Sequence, residues 1–347
     1  MFVSHACSSY SAKSTVGRGI FFLAGIVIAL SALPEAAAAA DQVAGSAVRA
    51  AGWQTEIAAS RALYSISMLL ATGIALFLLG VPAAAGIGNS LQRVLRICAG
   101  CAVVAGIAYL QIRGIAATGT SHLLDVAAFW RAADSALGSS VALATAGLLL
   151  LLIRPFGKPA LALGVALLLL SRVLTGHSVT LGPVWLLVPL MLLHVAGAAF
   201  WYGSLGPLFV ALRRLPPADA AAVVREFSEL ALLAVGSLAF AGAVMALVHL
   251  SAPSALLATW YGQLLIMKLT WFTVLLGFAA WHKLRLSRHI EAGDHKATRR
   301  LRYSIVAEAV VMSLVVLISS NLASTDPSMS AETREETIAA KARGTAP

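Results

Sequence analysis

The chain has 347 residues, 59% of them hydrophobic and only 12% charged, at a mean hydropathy of +0.87. Soluble domains run at roughly 45–50% apolar and about 25% charged, so this composition excludes a soluble globular domain and points to a polytopic membrane protein. The formal charge of +10 does not indicate nucleic acid, because the basic residues are spread over several short segments between apolar runs.

Residues 1–40 read as a secretory signal. Lys13 and Arg18 form a basic start, Gly19–Leu33 is a short apolar run, and Pro34-Glu35 precedes an alanine stretch with A-x-A cleavage sites. An uncleaved anchor is the alternative. Apolar segments then recur at about 61–82, 94–112, 138–153, 159–175, 184–211, 230–250, 261–282 and 303–323. The expected fold is therefore all-α, a polytopic membrane helix bundle of about eight transmembrane helices after the signal segment. Residues 41–175 form its N-terminal four-helix region, 176–327 its second region, and 328–347 a polar periplasmic tail. Between the second and third apolar segments, residues 118–137 carry His122, Asp125, Trp130, Arg131 and Asp134. This mixed stretch is expected to form an amphipathic helix at the outer interface.

Lys and Arg set the orientation. With the mature N-terminus outside, the inner connections hold Arg93 and Arg96, Arg154 and Lys158, Arg213, Arg214 and Arg225, and a last group from Lys283 to Arg302. The outer segments hold fewer, mostly matched by acids. Both termini are thus expected in the periplasm, in a bacterial cell inner membrane.

Within this frame the polar residues sort by depth. His194 is a lone titratable side chain in the stretch Leu190–Pro207 and shares a helical face with Gly197, Ala198 and Trp201. The small residues admit a neighbouring helix, so the histidine is expected to face protein rather than lipid. An ionisable group at that depth is costly and marks a candidate functional site, although it can also serve as a plain interhelical hydrogen bond. Met191 lies three residues before it. His177 falls in a short outer connection, and His249 closes the 230–250 helix at its outer end with Met245 four residues earlier. Imidazole and thioether without carboxylates suit a soft ion such as Cu(I) and not Mg or Ca. The methionines are equally ordinary gap-fillers, and His249 an ordinary interfacial residue.

Two further charges lie within apolar runs. Lys268 sits about two turns inside its helix and either snorkels outward or faces the bundle. Glu308, about one turn in from the cytoplasmic end by hydropathy, can relay a proton or pair with Arg302 or Arg285. Cys98 and Cys101 form a C-x-x-C pair, able to receive Cu(I) or simply packed as small residues. His282, His289 and His295 lie in or beside a basic segment and are expected to be solvated. No nucleophile–base pairing, phosphate loop or metalloprotease spacing occurs, so an enzyme is not expected.

The chain resembles the CopD copper-resistance family of bacterial inner-membrane proteins over about residues 60–327, most clearly from Gly176. The matching pieces are Gly176-His177, the stretch HVAGAAFWYG from His194 through Trp201 and Gly203, Phe227-Ser228, Tyr261-Gly262 with Leu264 and Lys268, Leu284-Arg285-Leu286, and Ser304 with Glu308. His282 departs from the Asn common in the family. The resemblance implies copper movement across the inner membrane, usually uptake from the periplasm, in concert with a periplasmic CopC-like copper-binding protein. It carries over to His177 and His194, and more weakly to Trp201, Lys268 and Glu308. The expected cargo is copper ion bound by His177, His194, His249, Met191 and Met245. The rival readings are a dihaem electron-transfer cytochrome, needing histidines paired near each face, and an assembly subunit with no ion of its own.

Overall fold

The computed structural model describes residues 53–120, 122–152, 157–175, 183–249, 257, 260–281 and 295–322. The signal segment, the polar tail and the connection holding His177 lie outside them. The described residues form nine α-helices: α1 (Gln54–Gly80), α2 (Gly88–Thr118), α3 (Val126–Ala133), α4 (Ala136–Leu152), α5 (Gly157–Ser171), α6 (Val184–Arg214), α7 (Pro217–His249), α8 (Trp260–Trp281) and α9 (His295–Leu322). A 3₁₀ turn at Pro82–Ile87 joins α1 to α2.

All eight apolar segments are helical. Five stretches, Gln54–Gly80, Pro82–Thr118, Val184–Arg214, Pro217–Val248 and Arg299–Ser320, are long and apolar enough to cross a bilayer. The count becomes six if α3 and α4, bent by 86° at their junction, form one span, while Gly157–Ser171 and Gly262–Phe278 are apolar but shorter. Among the described residues, length and composition alone thus support five or six crossings.

Local chemistry explains the helix ends. Gly119, at φ 73°, closes α2 in the left-handed region and donates its N–H to Ile115 O at 2.8 Å, a conformation glycine adopts without steric cost. Asp125 caps α3 by accepting from Ala128 N–H at 3.0 Å, and that bond holds its carboxyl below the usual range. Pro217 opens α7 at a position where its missing N–H costs nothing.

Two apolar cores share α1. One gathers Tyr64, Met68, Ala71 and Ile74 with α2, α4 and α5. The other gathers Phe77, Trp201, Leu205, Leu238, Leu275, Leu301 and Met312 from α1 and α6 to α9. The joint between α1 and α6 is so close that a Cβ on Gly73 would lie 1.9 Å from Ala199 O and 2.6 Å from Gly203 Cα. Here backbone packs on backbone, the small-residue contact that membrane helices use in place of a hydrophobic driving force.

The start of α7 and the end of α6 are tied to the turn before α2 and to the start of α2 by polar contacts. Glu226 of α7 accepts from Ala83 N–H at 2.9 Å, and Arg214 donates to Ser90 Oγ at 2.6 Å. The carboxylate meets the open N–H groups at the start of the 3₁₀ turn, where a negative charge is favoured. Glu226→Ala is expected to lower stability by about 1 kcal/mol, with Glu226→Gln recovering part of it, as measured by thermal unfolding in detergent.

Candidate functional site

The site is built on α6, which runs between α1 on one side and α7 on the other. Its residues divide by face. Ala199 and Gly203 meet α1, whereas Gly197 meets α7, where an added Cβ would lie 2.6 Å from Ala234 O. One turn away on that α7-facing side, His194 Nδ1 lies 3.1 Å from Leu238 O. A carbonyl can only accept, so Nδ1 carries the proton and Nε2 keeps its lone pair. Nε2 has no partner among the described residues. The ring also rests on Gly242, where a Cβ would stand 3.2 Å from Cε1 and 3.3 Å from Nδ1. The absence of a side chain at Gly242 is what admits the imidazole.

Leu238, Gly242, Met245 and His249 follow one another at four-, three- and four-residue steps, a single stripe along α7. Since the first two touch His194, the stripe faces α6 and leads from the ring toward the C-terminal end of α7. Met245 and, one turn before His194 on α6, Met191 are both half-buried. The side chain of His249, like His177, lies outside the described residues. Among the described residues no three His, Cys, Asp or Glu side chains come together. The described candidate ligands are therefore one imidazole nitrogen and nearby thioethers. An imidazole whose other nitrogen donates to a backbone carbonyl is the usual arrangement of a histidine that holds a metal, because that bond fixes both tautomer and ring orientation.

Lys268 lies two turns into α8, at the depth of His194, and its charge acts on the His194 ring. It is half-buried. Met312 and Met68, in contrast, are buried in the two apolar cores, which makes them packing residues.

About two turns below His194, Trp201 Nε1 donates to Glu308 Oε1 at 2.7 Å. Each of these residues is 2% exposed, and the indole also meets Phe272 edge-on at 6.1 Å. Trp201 stands roughly three and a half turns before the end of α6 and Glu308 as far after the start of α9, so they meet at matched depth. The expectation that Glu308 lies one turn from the cytoplasmic end is corrected here. The helix begins at His295 rather than 303, because backbone hydrogen bonding continues through the polar residues Lys296–Arg302 that hydropathy leaves out. Its Oε1 accepts from the Trp201 indole; Arg285 lies outside the described residues. One residue further on, Tyr202 Oη lies 2.7 Å from Ser313 Oγ, which itself donates to Ala309 O at 2.8 Å. The serine proton is therefore used, and the tyrosine is the donor. These bonds join α6 to α9. The two cysteines differ in exposure, Cys98 half-buried and Cys101 exposed.

Long apolar helices, packed through small residues around a histidine oriented by a backbone carbonyl, define an integral membrane protein with a polar site inside its bundle. Comparisons with known proteins locate a resemblance in one part of the chain. Residues 221–322, within α7 to α9, match the family model described as Copper resistance protein D. The chain is 31% identical over 130 residues to the Copper transport protein CutJ of Bacillus subtilis (strain 168), an alignment covering 36% of this chain and 24% of that relative. The match thus spans about a quarter of the relative's length. No solved structure matches the chain.

Proposed function

We propose that this protein moves copper across the bacterial inner membrane, in uptake from the periplasm, and so contributes to copper tolerance. The observation that carries the reading is the His194 ring. Its Nδ1 is committed to Leu238 O at 3.1 Å, its Nε2 is open, and half-buried Met191 and Met245 lie on the same side. The family match over 221–322 and the name of the CutJ relative support copper as the ion. His177 and His249 would receive it at the periplasmic mouth. His194 and the thioethers would hold it at mid-depth as Cu(I), which favours such ligands.

The eight apolar helices would then all cross or enter the membrane, with both ends of the mature chain in the periplasm, as the Lys and Arg distribution supports. A small periplasmic copper-binding protein of the CopC kind would deliver the ion. Lys268 repels a cation bound beside His194, so the site holds copper less tightly than its ligands alone would and can release it onward. Lys268→Met is expected to increase the copper retained by the purified protein. A purified protein showing a Soret band would favour the cytochrome reading.

The direct test is copper accumulation in cells producing wild type or His194→Ala at equal protein level. Accumulation with His194→Ala should fall to that of cells lacking the protein. Equal accumulation by the two proteins contradicts the reading.

A further inference from the structure

On the far side of α1, a cationic group takes no part in the copper site. Arg61 and Tyr64 stand one turn apart on α1 and share a face. The Tyr64 ring stacks on Tyr109 of α2, with centroids 6.2 Å apart and planes at 28°. Arg172 follows directly on α5, and its charge acts on Tyr64, Arg61 and Tyr109 together. The backbone here is pinned, since Ser140 Oγ of α4 donates to Ser171 O at 2.7 Å and Arg172 N–H donates to Leu169 O at 3.2 Å.

Among the described residues this group lacks a counter-charge: the one acid of α1, α2, α4 and α5 is Glu56, which is exposed, Asp125 and Asp134 flank α3, and no carboxylate is among the charges acting on Arg172. Tyr64 is 3% exposed, yet its hydroxyl has no hydrogen-bond partner among the described residues. Guanidinium groups do not give up their protons, so two of them that repel one another at the edge of hydrocarbon favour a bound anion. Together they present ten N–H donors, and Tyr64 adds an O–H.

The level of the cluster indicates which anion. Arg61 stands at the start of the apolar run of α1, and Arg172 follows the last residue of α5, Ser171, near the end of its apolar run. Both therefore lie where hydrocarbon gives way to headgroups. Beside them in register, Leu63 of α1 and Ile107 of α2 are 58% and 50% exposed, apolar surface suited to an acyl chain. Arginine binds phosphate oxygens bidentately, and basic pockets between membrane helices are known to take anionic headgroups.

We propose that Arg61, Arg172 and Tyr64 bind the phosphate of an anionic phospholipid in the leaflet where α1 begins and α5 ends. The lipid supplies the missing negative charge and fastens the N-terminal helices to one another. This assignment is independent of the copper reading.

The test is thermal unfolding of the purified full chain in a neutral detergent, with added phosphatidylglycerol, phosphatidylcholine or inorganic phosphate. Phosphatidylglycerol should raise the unfolding temperature of wild type by several degrees, while the other two should leave it unchanged. The Arg61→Gln/Arg172→Gln protein should lose that response, and Tyr64→Phe should show a smaller one. Equal shifts with phosphatidylglycerol and phosphatidylcholine overturn the proposal, as does a full response in the double variant. A shift with inorganic phosphate equal to that with phosphatidylglycerol assigns the site to a soluble oxyanion and overturns the lipid. If the double variant does not fold, native mass spectrometry of wild type decides: preferential retention of phosphatidylglycerol over phosphatidylcholine supports the site, and equal retention refutes it.

Discussion

Gly73→Ala is expected to destabilise the protein by more than about 3 kcal/mol, beyond the usual 1–3 kcal/mol of an overpacked core. One methyl group suffices because its neighbours are backbone atoms, Ala199 O at 1.9 Å and Gly203 Cα at 2.6 Å. No side chain can turn aside to make room, so α1 and α6 must separate. Both apolar cores include α1 residues, and separation loosens both. Gly100→Ala on α2 is the matched control, since nothing lies within 4 Å of its would-be Cβ. That change should be neutral or stabilise by up to about 1 kcal/mol through helix propensity. Thermal unfolding of the two variants in the same detergent compares them directly, and equal midpoints contradict the packing described.

The second large effect is expected at Trp201. Trp201→Ala empties a fully buried site and removes the indole bond to Glu308, which together should cost about 3–5 kcal/mol. Trp201→Phe keeps most of the volume and loses only the 2.7 Å bond, a loss of about 1–2 kcal/mol in a membrane helix bundle. Trp185→Ala, at a side chain 78% exposed, should change stability by no more than about 0.5 kcal/mol. Unfolding midpoints in the order Trp185→Ala, Trp201→Phe, Trp201→Ala, from highest to lowest, are the expected outcome. If Trp185→Ala is the most damaging, the assignment of Trp201 to the core is wrong.

Much of the architecture was legible in the sequence because a bilayer leaves few choices. Runs of apolar residues must be helices, and all eight runs are. The mixed stretch around Asp125 is the short helix α3, as its alternation of charge and aromatic residues indicates. Helix ends were less visible. Hydropathy marks the apolar part of a helix, whereas hydrogen bonding carries α7 back to Pro217 and α9 back to His295 through polar residues. That displacement moved Glu308 from an apparent helix end to mid-helix.

Faces were legible and partners were not. The spacing of His194, Gly197 and Trp201 shows that a neighbour packs against them. It does not show that Gly197 and His194 meet α7 while Trp201 reaches α9. Glu308 is 107 positions from Trp201, and no local signal joins the two. Gly242, which makes room for the imidazole, looks in the sequence like any other small residue of a membrane helix. In the sequence Arg61 and Arg172 carry no mark of a site, and only the buried Tyr64 hydroxyl between the helices distinguishes them.

The central claim is that His194 presents an open nitrogen to a soft metal ion inside the bundle. Elemental analysis of purified wild type and His194→Ala after loading with Cu(I) and desalting tests it most directly, with equal elution and unfolding behaviour of the two proteins as the condition for comparison. Wild type should retain copper, and the variant should bind at least about tenfold more weakly, a loss of 1.4 kcal/mol or more. Equal copper retention by both proteins, or none by wild type, would contradict the account.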